Sequence, residues 1–558
     1  MRTAWLRFPR APGARFPRLP AFHDTRFPPD ALSSSAVGAG ATLGVAASGE
    51  PYADRRRVHV VVQQATCGPS GSRIFAENGG WMLAPTTASP VVNKALLPWL
   101  IAVAFFMQAL DMTILNTAVP IVSKALDVAP LAMRSVLSSY ALSLAVFIPI
   151  SGWMADRYGT RAVFASAIGL FTLGSALCGL CTNIHLLVAC RVIQGCGGAM
   201  MVPVGRLTLV RTFPKTELVR AMSFVAVPAL VGPMLGPVAG GLIVAYLNWR
   251  YIFFLNLPIG ALGLVLVFLF MPDYREQKRK PLDLVGLILF GSGIALLSYV
   301  LEIFGDHTLG AGDILGLTAL SIALLIGYGL YAARTRYPVL QLQLFRIRTF
   351  SAAVSGGFFT RLGIGGVPFL LPLLYQVGLG YTPVQSGLLI MPQAVAALGT
   401  KFFLPSILQR LGYRMILISN TIALGAIVML FATIGPGTPA WLIVLQASVY
   451  GAFQSLQLTS MNTLVYADIP QGKTSNASSI ASTLQQLSIS FGVAAAGLTS
   501  ALFIPPSVHA NPSAFLHGIH EAFLVLGGFT VISSLVFWSL RTGDGGMQRG
   551  PKEVHVGD

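Results

Sequence analysis

Asp111 and Arg191 are ionisable residues set inside long apolar runs. Asp111 falls in Leu110-Asp111-Met112-Thr113-Ile114-Leu115-Asn116-Thr117-Ala118-Val119-Pro120, which closes a run starting near Pro98. A carboxylate at that depth in a membrane span is costly and usually functional. At 1.5 Å per residue, Asp111 lies ~11 Å from the outer end of its run, and Arg191 ~8 Å from the start of its own. The two could therefore share one level of a bilayer. A neighbouring guanidinium favours the ionised carboxylate, whereas burial favours the protonated one. A conformational change that alternates these influences would let Asp111 load and release a proton. The plainer alternative makes Asp111 a fixed hydrogen-bond partner and Arg191 a tie to backbone carbonyls.

The rest of the chain must place these residues in a membrane. Of 558 residues, 54% are hydrophobic and only 10% charged, against about 25% charged in a soluble domain. Long apolar runs separated by short basic loops fit an all-α polytopic membrane protein. A β-barrel would need alternating ten-residue strands, and these runs are continuous. The net charge of +17 is explained by Lys and Arg gathered in loops on one side, so nucleic acid is not an expected partner. Four of the five cysteines, Cys178, Cys181, Cys190 and Cys196, lie in two adjacent apolar segments, with Cys67 apart. Inert packing is expected of them, not redox or metal chemistry.

Fourteen spans are expected, at about 98–118, 133–154, 162–182, 186–210, 220–244, 249–271, 283–302, 313–333, 351–376, 385–408, 414–434, 440–463, 478–503 and 521–540. Each is long enough for ~30 Å of hydrocarbon. With the N-terminus inside, the inner loops hold sixteen Lys and Arg and the outer loops three, which places both termini in the cytoplasm. Residues 1–90 differ: ten Arg, no Lys and clustered Pro, with no apolar core after the first basic residues. They read as a disordered extension without a cleaved signal peptide. A mis-assigned start, with Met82 as the true first residue, is the alternative.

An internal echo divides the spans. Asp156-Arg157-Tyr158-Gly159-Thr160-Arg161 follows the second span and Gln409-Arg410-Leu411-Gly412-Tyr413-Arg414 follows the tenth. Both are x-Arg-x-Gly-x-Arg. The expected organisation is a six-helix half at 98–271, two linker helices at 283–333, a second half at 351–540 and a tail at 541–558. Repeated halves put a substrate site near the midplane between them.

In the first copy, Gly152, Asp156, Arg157, Gly159 and Arg161 suit a charged latch made in one state and broken in another. A plain basic loop is the alternative. The acid is Gln409 in the second copy, so a symmetric latch is not expected. Gly232, Gly236 and Gly240 recur every four residues on one helix face, where small residues let backbones approach. Pro233 and Pro237 can kink that helix, and Gly241 extends the pattern. A close, kinked contact sealing the outer side is one reading, and static glycine packing the other. Polar residues within spans, Gln108, Asn116 and Gln194 among them, either glue helices or line a substrate cavity. Arg361, midway along its span, faces a cavity or a polar partner. Glu302 ends its span and reaches the interface. Ala467–Thr474 fits a loose P-loop pattern, but a P-loop needs a preceding strand and a following helix in a soluble domain and here a short loop joins two spans, so ATP is not expected.

These motifs resemble those of a known family. Gly152–Arg161 resembles motif A of the major facilitator superfamily, and Leu187–Gly198, with Arg191, Gln194 and Gly195, resembles motif B. Gly232–Gly241 resembles motif C, associated with antiporters. Leu110–Pro120 and Trp249–Gly260 resemble segments of the fourteen-span drug:proton antiporters of the EmrB/QacA type, especially the multidrug-resistance D-type transporters. The likeness runs from about Pro98 to Arg541. It implies a major facilitator fold and proton-coupled efflux of small amphipathic compounds, with Asp111 and Arg191 in proton transfer. It also implies no cofactor beyond the proton gradient, no metal and no enzymatic step, in a bacterial inner membrane. A periplasmic adaptor and outer-membrane channel are conceivable partners. The rivals are export of a specific metabolite, such as an organic anion or metal chelate, and a non-transporting receptor or scaffold.

Overall fold

A computed structural model describes residues 73–75, 81–83, 96–276, 281–303, 310–470, 473–504, 512–541 and 543–545. The chain forms two units, divided at Thr87 and Ala88. In the first, β1 (Arg73–Phe75) pairs antiparallel with β2 (Trp81–Leu83), with Ile74 opposite Met82. The rest of the expected N-terminal extension lies outside the described residues.

The second unit is helical. Its helices are α1 (Leu96–Ala125), α2 (Arg134–Tyr158), α3 (Thr160–Leu180), α4 (Ile184–Thr212) and α5 (Lys215–Tyr246). There follow α6 (Tyr251–Phe270), α7 (Leu284–Ile303), α8 (Ala311–Arg334), α9 (Arg348–Gly378), α10 (Pro383–Leu404) and α11 (Ser406–Thr433). The last are α12 (Ala440–Leu464), α13 (Thr474–Phe503) and α14 (Ser513–Ser539). Twelve of these are long and apolar enough to cross a membrane. The other two are α5, whose apolar part is Leu230–Tyr246, and the 25-residue α12, which is rich in Gln, Ser and Thr. The described elements are thus consistent with the fourteen expected spans.

Two turns carry the repeat. Gly159, between α2 and α3, has φ 96°. Gly412, within the range given for α11, is where the backbone leaves helical geometry and changes direction, with φ 72° and ψ 161°. Side chains other than glycine rarely adopt such backbone, so the shared glycine of the two x-Arg-x-Gly-x-Arg motifs serves the same tight reversal. The linker helices α7 and α8 pack on each other, and α7 also lies against α2 and α13.

The core is arranged unequally along the bundle. One apolar cluster joins both halves at the end remote from the Asp156–Arg161 loop, with Leu115, Val119 and Phe253 of the first half among Phe369, Leu373, Tyr375 and Phe523 of the second. At the end that carries the loop, which we call the basic end, each half keeps its own cluster. Ile101, Phe105, Phe164 and Val204 belong to one; Phe350, Leu464 and Leu540 belong to the other, which also holds Phe290 and Tyr328 of the linker helices and Ala145 of α2. The halves are therefore closed together at the far end and separate at the basic end. At the basic end the tail folds back: Asp544 Oδ1 accepts from Arg348 Nη2 at 2.5 Å, which holds its carboxyl below the usual range.

Candidate functional site

Asp111 is 1% exposed, and its carboxylate meets three donors. Arg191 Nη1 donates to Oδ2 at 2.7 Å. Gln194 Nε2 and Asn256 Nδ2 donate to Oδ1 at 2.9 and 3.1 Å. An acceptor-only carboxylate suits this set of donors. The depth match read from the sequence thus becomes a direct ion pair.

The helices supply each partner for a local reason. Arg191 and Gln194 are three apart on α4 and so share a face, and Arg191 Nη1 also donates to Gln194 Oε1 at 2.9 Å. Gly195 and Gly197 let α4 lie close to α2 and α3. A Cβ at Gly195 would stand 2.9 Å from the Tyr140 carbonyl, and one at Gly197 2.5 Å from the Phe171 nitrogen. Asn256 follows a break in α6 at Leu255, and its Nδ2 also reaches Ser175 Oγ at 3.0 Å. Ser175 in turn donates to the Phe253 carbonyl at 2.8 Å. The Arg191 guanidinium sits 4.3 Å from the Tyr140 ring centroid, a cation–π contact strengthened by burial. Sequence reasoning gave Asn256, Ser175 and Tyr140 no role. Asn256 carried a signal, as an amide in an otherwise apolar span.

A cavity of about 290 Å³ lies between the halves and touches Tyr140, Arg191, Asn116, Pro233, Arg361 and Gln454. Its described lining includes no carboxylate. Of the polar residues expected there, Asn116 and Arg361 are present. Gln194 is instead consumed by the Asp111 cluster, and Gln108 is buried near Tyr140 without lining the cavity. Both are corrections: each side chain points toward a neighbouring helix, not toward the midplane gap. Arg361 is 7% exposed and donates to Asn462 Oδ1 at 3.1 Å. Three buried polar atoms around the cluster, Gln108 Oε1, Tyr140 OH and Arg191 Nε, have no protein hydrogen-bond partner.

The glycine stripe of α5 faces α1, within its own half. Cβ atoms at Gly232, Gly236 and Gly240 would meet Ala109 Cβ at 2.9 Å, Thr113 Oγ1 at 2.1 Å and the Ile114 carbonyl oxygen at 2.3 Å. The contact that joins the halves uses another face. A Cβ at Gly241 would lie 2.5 Å from the Pro383 carbonyl oxygen, and one at Gly387 2.4 Å from that of Pro237. A close approach between the halves therefore exists at the far end and involves Pro237 and Gly241, while the stripe itself seats α5 beside Asp111.

At the basic end, Asp156 Oδ1 accepts from Arg211 Nη2 of α4 at 2.8 Å. Arg161 Nε donates to the Met271 carbonyl at 2.5 Å. Gly159 is filled in by Asp273, whose Oδ1 would stand 2.2 Å from an added Cβ. Arg157 is exposed and lies over Trp153 and Tyr158. Gly152 is exposed, with open space around it. All these contacts stay inside the first half. The described cysteines are free, and Cys181 Sγ lies 3.6 Å from Cys190 Sγ.

Comparison with known proteins agrees with this architecture. The Major Facilitator Superfamily model matches residues 101–493. The chain is 41% identical over 417 residues to the "Putative multidrug resistance protein MdtD" of Escherichia fergusonii, covering 74% of this chain and 88% of that protein. The protein of the same name from Escherichia coli O9:H4 is 41% identical over 407 residues, covering 73% and 86%. Among solved structures, a POT family transporter in complex with 5-aminolevulinic acid superposes with a TM-score of 0.58 at 17% identity, over 79% of this chain and 95% of that one. A D-xylose-proton symporter gives 0.57 at 16% identity, over 80% and 98%. At these identities the structural likeness speaks to the fold alone.

Proposed function

The chain belongs to the Major Facilitator Superfamily, a multi-pass membrane transporter, and from that premise we propose that it exports small amphipathic compounds in exchange for protons. The observation that carries this reading is the Asp111 cluster, buried and paired with Arg191, which together with Tyr140 also lines the central cavity. Both Asp111 oxygens already accept hydrogen bonds. A proton on Oδ2 cancels the charge that holds Arg191, and Arg191 is the donor that also touches the cavity. Proton binding therefore moves a cavity residue, and substrate contact with that residue feeds back on the proton.

Alternating access supplies the cycle. With the basic end cytoplasmic by the positive-inside rule, a cavity closed at the far end opens toward the cytoplasm. An ionised Asp111 in that state is what an antiporter needs: the proton has left to the cytoplasm and the substrate can enter. The gradient across a bacterial inner membrane supplies the energy, with no cofactor and no covalent step. The decisive experiment follows proton flux in inverted vesicles carrying the wild type or Asp111→Asn, challenged with cationic dyes and organic acids. We expect compound-dependent flux in the wild type and its loss in the variant. Equal flux in both would remove Asp111 from the coupling.

The cavity favours a second reading, export of an organic anion. Two guanidiniums and no carboxylate among the described lining residues suit a negative charge, with Arg361 as its seat. Arg361→Gln should then raise KM for organic acids by ~10-fold or more, since a hydrogen bond to a charged group contributes about 1.5–3 kcal/mol. Unchanged KM for acids would leave the drug reading alone.

A further inference from the structure

A second buried junction lies at the far end, on the linker helices. Arg134, at the start of α2, is 3% exposed. Its Nη2 donates to the Glu302 carbonyl oxygen of α7 at 2.6 Å. One turn further along α2, the Ser138 hydroxyl donates to the Glu302 carboxylate. The Ser138 carbonyl in turn accepts from Ser490 Oγ of α13 at 3.0 Å. Gly497 of α13 presents bare backbone to Arg134: a Cβ there would stand 2.2 Å from Arg134 Cδ. Three parts of the chain thus meet at one place: the first half, the inserted pair and the second half.

We propose that Glu302 is a positioning residue for transport, the clasp by which the inserted helices hold the far end shut. It rests on the alternating-access reading. Opening the far end must part α2 from α13, because Ser138–Ser490 and Arg134–Gly497 bridge the two halves there. The Arg134 stem can fill the space beside Gly497 only while its head group is held; the Glu302 carbonyl accepts from it, and the Glu302 carboxylate, by accepting from Ser138, fixes that carbonyl in place. The carboxylate, the guanidinium and Ser138 lie on one face of α2, so α7 travels with the first half as one body. α13 slides off the Arg134 stem as the gate opens. Without the Glu302 carboxylate the last turn of α7 is no longer tied to Ser138, and the carbonyl that accepts from Arg134 moves with it. Arg134 shifts with its acceptor, which unseats the stem beside Gly497 and frees the gate. An inserted helix pair that merely filled lipid would require neither an acid at this position nor a side chain that leaves Gly497 bare.

The test is hydrogen exchange of the full-length protein in lipid nanodiscs at two pH values, comparing wild type, Glu302→Ala and Ser138→Ala. Glu302→Ala should raise exchange at residues 130–138 and 497–503 several-fold while lowering it at the basic ends of α4 and α10. Ser138→Ala should shift the same segments less. Uniform increases at both ends would mark a folding defect and overturn the clasp. If pH shifts exchange between the ends in the wild type and Glu302→Ala behaves identically, the clasp fails and alternating access stands. If the wild type never shifts, both fall.

Discussion

Three donors converge on one carboxylate at Asp111, and this sets what substitution can do there. Arg191→Ala removes the only charged partner and leaves a buried anion with two amides. Breaking a buried pair from one side costs about 3–5 kcal/mol. Adding Asp111→Asn should return most of that stability, because the remaining amides and Ser175 can pair with one another. Thermal unfolding in detergent should therefore rank Arg191→Ala below both the wild type and the double variant, while the double variant transports nothing. A double variant as unstable as Arg191→Ala would mean that the Arg191 stem and its Tyr140 contact, not the ion pair, dominate. Glu302 shows the same chemistry placed differently. Expected from the sequence at the interface end of its span, it is half-buried there and also accepts from Ser138.

Helix ends and crossings are where glycine decides. Gly159 and Gly412 occupy matching places in the two halves and share a backbone that costs other residues about 1–3 kcal/mol. Their surroundings differ: an added Cβ at Gly159 would meet Asp273, whereas none of the described atoms lies within 4 Å at Gly412. Asp273 Oδ1 accepts from the Arg161 nitrogen at 3.3 Å and Oδ2 from Arg275 Nε at 3.0 Å, so it gives way only by releasing them. Gly159→Ala should thus lower the unfolding temperature more than Gly412→Ala. Equal losses would show that strain alone matters and that the Asp273 contact is dispensable. The asymmetry matches the sequence, in which the acid Asp156 of the first copy becomes Gln409 in the second.

Across the molecule, one shared core at the far end and two separate cores at the basic end define the conformational state. The two halves approach most closely where α5 crosses α10, with Gly241 and Gly387 set against opposing carbonyls, and a seal there is testable. A backbone oxygen cannot rotate aside, so Gly387→Leu should wedge the crossing open. Asn116→Cys, in the cavity lining, would then react with a membrane-impermeant thiol reagent from the far side. In the Gly387 background it should react only from the basic side, with peptide mapping to separate it from the native cysteines. Labelling from the same side in both backgrounds would show that α5–α10 is not the seal. The inserted pair α7–α8 belongs to this scale as well, since α7 touches both halves at once.

The sequence alone was enough to indicate an all-helical membrane transporter of the major facilitator type. Its spans, its charge bias and the depths of Asp111 and Arg191 are properties of one dimension, because a span's length and its flanking charges are set by the bilayer itself. Motif A and its echo were equally legible, since a forced glycine turn leaves the same local pattern wherever it occurs. Lateral choices were not legible. A helix apolar on every side carries little record of which face meets which neighbour. Only the packed bundle could therefore turn the α5 stripe toward α1, draw Gln194 away from the cavity, bring Asn256 and Ser175 to Asp111, and close Arg134 and Ser138 over Glu302.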